Sequence, residues 1–153
     1  MSELCLSIAV VDDEPSVRRA LRRLLQALGF VVGTFASGEE FLETFGSRRL
    51  DCVILDLHLP GLSGLEVQQE LSRRNIPTPC IVITGKDEPG TSDRVLACGA
   101  AAYLKKPVDE QVLLSAICAA VPHRADLKQL GVKRFETETE DIVNQTPIQG
   151  NDT

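Results

Sequence analysis

Short apolar runs recur along this chain, and each stops abruptly at a polar residue. CLSIAVV (5–11) ends at Asp12, CVIL (52–55) at Asp56, CIVI (80–83) at Thr84, and AAYL (101–104) at Lys105 and Lys106. The run before Asp56 does not alternate apolar with polar residues. It reads as a strand buried on both faces, as in a parallel sheet. A carboxylate at the carboxyl end of such a strand stands where open α/β sheets hold their ligands. Asp56 also has a plainer reading, as the cap of a backbone turn, so the rest of the chain has to decide.

Helical segments fill the intervals. Pro15 suits a first helical turn, and the acids ahead of it suit the positive end of the helix dipole. Val17, Leu21, Leu24 and Leu28 share one face, flanked by Ala20 and Leu25, with Arg18, Arg19, Arg22 and Arg23 opposite and Gly29 as a stop. Residues 30–35 predict a second strand, and Ser37 is placed to cap a helix over 38–45 that Gly46 ends. Further helices are predicted over about 64–74, about 89–98 closed by Gly99, and about 109–121 stopped by Pro122. In the last of these Val112, Leu113, Ala116, Ile117 and Ala120 form the apolar face. Strand then helix, five times over, implies a mostly parallel sheet with helices on both faces. Right-handed crossovers point to a flavodoxin-like (βα)5 doubly wound sheet of strand order 2-1-3-4-5.

With 153 residues, 43% of them hydrophobic, the chain can build one domain with a sizeable core. That domain is expected over residues 1–121. Residues 122–153 are polar and lose periodicity after Leu130, so a partly helical and then disordered extension is expected there. A net charge of −6, no basic block, no Trp and a single Tyr argue against direct nucleic-acid contact. The five cysteines, Cys5, Cys52, Cys80, Cys98 and Cys118, form no CxxC motif and are expected as free, buried core residues. The amino terminus carries acids where a signal peptide needs bases, and no run reaches the length of a membrane span. A cytoplasmic protein is expected.

In the expected topology the ends of strands 1, 3, 4 and 5 converge. They bring Asp12 and Asp13, then Asp56, then Thr84, then Lys106 to one edge. Three crowded carboxylates repel one another and raise at least one pKa unless a cation is present. Without a His or Cys cluster, an oxygen-ligated divalent ion, Mg²⁺, answers that repulsion. A carboxylate can also serve as nucleophile and form an aspartyl phosphate. A metal, a hydroxyl such as Thr84 and an ammonium such as Lys106 would then neutralise the phosphoryl oxygens. Singly, Thr84 is an ordinary strand-end threonine and Lys106 a solvated lysine; four such sites at four strand ends are hard to ascribe to chance.

As a set and in order, VVDDEP, ILDLHLPGLSG, VITG and YLKKP resemble the receiver domain of bacterial two-component response regulators, over about residues 6–121. The phrasing LPGLSGLE, ITG and KPVDEQVLLSAI is most similar to FixJ-type receivers. The resemblance implies Asp56 as phosphoacceptor. It implies Asp12 and Asp13 at a Mg²⁺ site, with Asp13, Asp56 and the main-chain carbonyl of His58 as direct ligands. Thr84 would follow the phosphoryl group and Lys106 pair with it, since the family lysine directly precedes the proline. Lys105 is then a solvated neighbour, and Pro107 would follow a cis peptide bond. Tyr103 falls at the family's aromatic switch position. The implied partners are a sensor histidine kinase and an output protein or an effector domain missing from this chain. A phosphorylation-dependent homodimer is also admitted. The implied function is a phosphoacceptor switch on the face of helix 4, strand 5 and helix 5, catalysing its own phosphorylation and dephosphorylation rather than acting as a stand-alone enzyme.

Only about thirty residues follow the last helix, too few for the DNA-binding domain that FixJ-type receivers often carry. His58 and Lys86 flank the site and could tune the lifetime of the phosphoryl group. The principal alternative is a small Mg²⁺-dependent phosphatase with an aspartyl-phosphate intermediate. That chemistry wants an acid two residues after the nucleophile, where His58 stands. A nucleotide- or flavin-binding module would want a glycine-rich loop after strand 1, where acids stand instead. A receiver-like interaction module that is never phosphorylated would have no use for the full set of site residues.

Overall fold

A computed structural model of the chain describes residues 6–45 and 50–121. Five strands alternate with five helices: β1 (Ser7–Val11), α1 (Pro15–Ala27), β2 (Val31–Phe35), α2 (Gly38–Phe45), β3 (Cys52–Asp56), α3 (Gly64–Arg73), β4 (Cys80–Thr84), α4 (Thr91–Ala97), β5 (Ala102–Lys105) and α5 (Glu110–Ala120). All strand pairs are parallel, in the order β2-β1-β3-β4-β5. This is the doubly wound flavodoxin-like sheet read from the sequence. Gly46 as the stop of α2, Cys5, Pro122 and the expected extension over 122–153 lie outside the described residues.

Burial follows from the sheet's period of two. Ile8, Val10, Ile54, Ile81 and Ile83 point to one face, where Leu21 and Leu25 of α1 and Leu113 and Ile117 of α5 cover them. Ala9, Val11, Val53 and Leu55 point to the other, against Phe41, Leu42 and Phe45 of α2 and Val67 and Leu71 of α3. Val82 with Val95 of α4 extends that second layer. β3 and β4 are buried at every position. The edge strands β2 and β5 are only half-buried. Burying a side chain such as Ile54 or Leu55 contributes roughly 1.5–3 kcal/mol.

Local signals set the helix ends. Pro15 opens α1, and Gly29, at φ 96°, adopts the left-handed conformation that ends it. Ser37 Oγ accepts from Glu40 N at 3.1 Å, as its position predicts, and Glu40 returns a carboxylate oxygen to Ala36 N at 2.9 Å. Ser63 and Glu66 close a capping box on α3.

Two helix faces differ from expectation. In α5 Val112 is 47% exposed, while Leu114 and Cys118 are buried beside Leu113 and Ile117. The helix lies with adjacent pairs against the sheet, so the centre of its apolar stripe is rotated from the predicted face. In α1 Leu25 is the fully buried residue and Ala20 is exposed. Among the cysteines, Cys52, Cys80 and Cys118 are buried core residues as expected, but Cys98, at the end of α4, is only half-buried. Burial pushes the Cys52 thiol well up and that of Cys80 to about 12, which leaves both unreactive. No described helix is long and apolar enough to cross a membrane.

Candidate functional site

The site is built by register. Val11 pairs with Leu55, and Asp56 pairs with Ile83, so Asp12 and Asp56 leave the sheet at one level. Thr84 pairs with Lys105, which sets Lys106 one residue beyond the edge. Asp12, Asp13 and Asp56 each bring a carboxylate oxygen within 4.8 Å of the other two. Asp12 and Asp56 are buried, whereas Asp13 is exposed.

Lys106 joins them. Its Nζ lies 2.8 Å from Asp12 Oδ2, 3.5 Å from Asp56 Oδ1 and 3.6 Å from Glu14 Oε1. Burial works to lower the lysine's pKa, but the Asp12 contact and the charges of Asp56, Asp12 and Glu14 outweigh it and hold the value above normal. Asp56 is raised, first by burial and then by the Asp12 charge, with Lys106 opposing. One ammonium therefore does not neutralise the cluster. Asp12 Oδ2 is buried and, among the described residues, has no partner apart from that ammonium. A set of three carboxylates suits a hard, oxygen-ligated divalent ion such as Mg²⁺.

The surrounding backbone holds these groups in place. Asp12 Oδ1 accepts from Glu14 N at 2.9 Å, and Arg18 Nη1 donates to the Asp12 carbonyl at 2.7 Å. Gly64 lets α3 start directly against the end of β3. A Cβ there would lie 2.4 Å from the Asp56 carbonyl oxygen and 2.9 Å from Leu57 Cα. The Lys106–Pro107 peptide bond is cis, as the resemblance implied.

The other candidates surround this core. Thr84 is fully buried, and its hydroxyl is engaged by the Lys86 backbone: it donates to the carbonyl at 3.2 Å and accepts from the N–H at 3.0 Å. His58 N donates a long, 3.4 Å bond to Asp56 Oδ1, and its imidazole Nε2 lies 3.3 Å from the Lys86 carbonyl. Tyr103 stands apart from the acids, its ring against Leu57, Val82 and Val95. Its hydroxyl donates to Asp87 Oδ1 at 2.8 Å. Lys105, expected as merely solvated, is 69% exposed but also reaches Asp87, with Nζ 3.5 Å from Oδ2. Asp87 and Arg18 escaped the sequence reading. Asp87 lies three residues past Thr84, but its partners are 16 and 18 residues further on, and only the fold joins them.

A parallel five-stranded sheet with acids and a lysine meeting at its carboxyl edge defines a doubly wound α/β protein with an acidic, cation-suited pocket at its strand ends. The family model of the response regulator receiver domain matches residues 8–118, and the chain belongs to that family. It is similar to nodulation protein W of Bradyrhizobium diazoefficiens, at 42% identity over 113 residues, 74% of this chain and 50% of the relative. It is 32% identical over 121 residues to the transcriptional regulatory protein FixJ of Azorhizobium caulinodans, covering 79% of this chain and 57% of that protein. The chain thus spans about half the length of these curated relatives. Among solved structures, FixJ-N superposes with a TM-score of 0.71 at 33% identity, covering 77% of this chain and 94% of that one. A receiver protein from Burkholderia phymatum gives 0.67 at 43% identity, over 76% and 98%. The chain is a receiver domain of the response-regulator kind, consistent with a phosphorylation-dependent signalling switch, and the phosphatase alternative finds no support.

Proposed function

We propose that Asp56 accepts a phosphoryl group from the phosphohistidine of a sensor histidine kinase. The observation that carries this is the meeting of a buried Asp56 with Asp12, Asp13 and Lys106 at one sheet edge. A carboxylate oxygen of Asp56 forms the new P–O bond as the P–N bond breaks and the imidazole leaves. Asp12 and Asp13 hold Mg²⁺ in this reading, with Asp13, Asp56 and the His58 main-chain carbonyl as its direct ligands. Bound there, Mg²⁺ supplies charge neutralisation at the phosphoryl oxygens. Lys106 pairs with one of those oxygens, and Thr84 leaves the Lys86 backbone to donate to another. The same groups support self-catalysed phosphorylation and dephosphorylation.

The added charge then biases a two-state element. As Thr84 moves inward, Tyr103 turns in, and the face of α4, β5 and α5 changes for an output protein or effector domain. A homodimer formed through that face on phosphorylation belongs to the same reading. Direct contact between this chain and nucleic acid does not. Residues 1–121 act as the receiver unit, 122–153 as an extension of it, and the setting is the cytoplasm.

The test is labelling with acetyl phosphate and Mg²⁺. Wild type should incorporate one phosphoryl group and Asp56→Asn none. Equal labelling of both proteins would remove Asp56 from the role. Catalytic turnover of many equivalents of a phosphate monoester would return the case to a phosphatase.

A further inference from the structure

Asp87 is not a site residue in any reading above, yet it is the point where the β4–α4 loop is tied to β5. Its two carboxylate oxygens are divided between two partners on that strand. Oδ1 receives the Tyr103 hydroxyl at 2.8 Å, and Oδ2 faces Lys105 Nζ at 3.5 Å. The same loop carries Lys86, whose backbone holds the Thr84 hydroxyl. So the two groups that have to move in the proposed switch, Thr84 and Tyr103, are both held by consecutive residues of one loop. We propose that Asp87 is a positioning residue: a catch that holds Tyr103 in its resting orientation and so sets how readily phosphorylation throws the switch. This rests on the reading of Tyr103 as the switch residue.

Three observations support the catch. A phenol bonded to a carboxylate cannot turn towards the core without breaking that bond, and a bond to an ionised acceptor is stronger than a neutral one. The Tyr103 hydroxyl is raised to about 12, by burial first and then by Asp87, so it stays protonated and remains a donor at neutral pH. Finally, the ring is already half-buried against Leu57, Val82 and Val95, so the apolar neighbours that an inward turn would draw on are in place. The hydroxyl bond, rather than the ring's packing, is what distinguishes the resting orientation. Lys105 contributes less, because it is 69% exposed and its contact is screened by salt.

The test is a double-mutant cycle on the 153-residue chain: wild type, Asp87→Ala, Tyr103→Phe and the pair. The readout is the affinity for beryllofluoride, an acyl-phosphate mimic, in saturating Mg²⁺, measured by calorimetry. Each single substitution removes the same bond and should tighten binding roughly 2- to 10-fold, the span of one net hydrogen bond. The pair should tighten no further than either single change. Asp87→Asn keeps an acceptor for the phenol and should fall near wild type. Tyr103 is the sole tyrosine and there is no tryptophan, so tyrosine emission reports this phenol alone. Emission should change in Asp87→Ala before any ligand is added, which a role in folding alone would not produce. Unchanged or weaker beryllofluoride binding in the single variants, or additive effects in the pair, would overturn the catch. Acetyl phosphate labelling of Asp56 in the same variants separates that outcome from failure of the phosphoacceptor reading itself.

Discussion

Removing the charge of Asp56 should make the metal-free protein more stable, although it removes the proposed acceptor. The magnitude follows from the geometry. Oxygens of Asp12 and Asp13 lie within 4.8 Å of one on Asp56. At an effective dielectric constant of about 20, the buried Asp12 repels it by roughly 3.5 kcal/mol, and the exposed, solvent-screened Asp13 by much less. Lys106 Nζ, 3.5 Å away, returns roughly 5 kcal/mol at the same dielectric. The pairwise charges therefore come close to cancelling, and the burial of the charge, the largest cause of the raised pKa, leaves a net penalty on the order of 1–2 kcal/mol. The raised pKa of Asp56 carries the same sign. A carboxyl group whose pKa is higher folded than unfolded binds its proton more tightly in the native state, so its ionisation costs stability as pH rises. The cost is absent below the ordinary carboxylate pKa and complete above the raised folded value. Urea unfolding at neutral pH and low salt, with a chelator present, is the assay. For a slope of about 1–3 kcal/mol per molar, Asp56→Asn should shift the midpoint upward by about 1 M. Adding Mg²⁺ should stabilise wild type more than the variant and narrow the gap. A variant less stable than wild type in chelator would refute the electrostatic account of the pocket.

Lys106→Met leaves Asp12 and Asp56 buried without their cation, and should cost about 3 kcal/mol of stability in chelator. Mg²⁺ should restore much of that loss in the same urea titration. Asp13→Ala should weaken Mg²⁺ binding at least 10-fold by calorimetry, yet change stability in chelator little or slightly for the better, because Asp13 is exposed and adds to the repulsion. Gly64→Ala drives a Cβ into the Asp56 carbonyl, a backbone atom that cannot step aside. It should cost roughly 1–3 kcal/mol and slow labelling of Asp56.

The architecture was legible because its signals were local and repeated. Apolar runs stopped at Asp12, Asp56, Thr84 and Lys106, and helix stops such as Gly29 fell between them. The rule that open sheets present ligands at their carboxyl edge then placed those four strand ends together, and the register confirms that placement for the acids and Lys106. What stayed hidden was contact between side chains distant in sequence. Nothing in GKDEPG marks Asp87 as the partner of Tyr103 and Lys105. The face of α5 was misplaced for a related reason. Val112 and Leu114 are equally apolar in sequence, and only the way the helix sits on the sheet decides which is covered. Thr84 was correctly placed at its strand end, but its attachment to the Lys86 backbone depends on a loop conformation that composition does not encode.

The sheet divides the site into a stiff part and a pliable part. Asp12, Asp56 and Thr84 are rooted at β1, β3 and β4, which are clamped from above and below; Tyr103 lies in β5 and Lys106 just beyond it, and among the described residues that strand has a neighbour along one side alone. In the proposed switch, a charge on Asp56 meets a backbone that hardly yields, so the accommodating movement is left to the Thr84 side chain, the outermost strand and the loop buttoned to it. In that reading the news of the chemistry would exit sideways, through the margin of the molecule that a binding partner can reach.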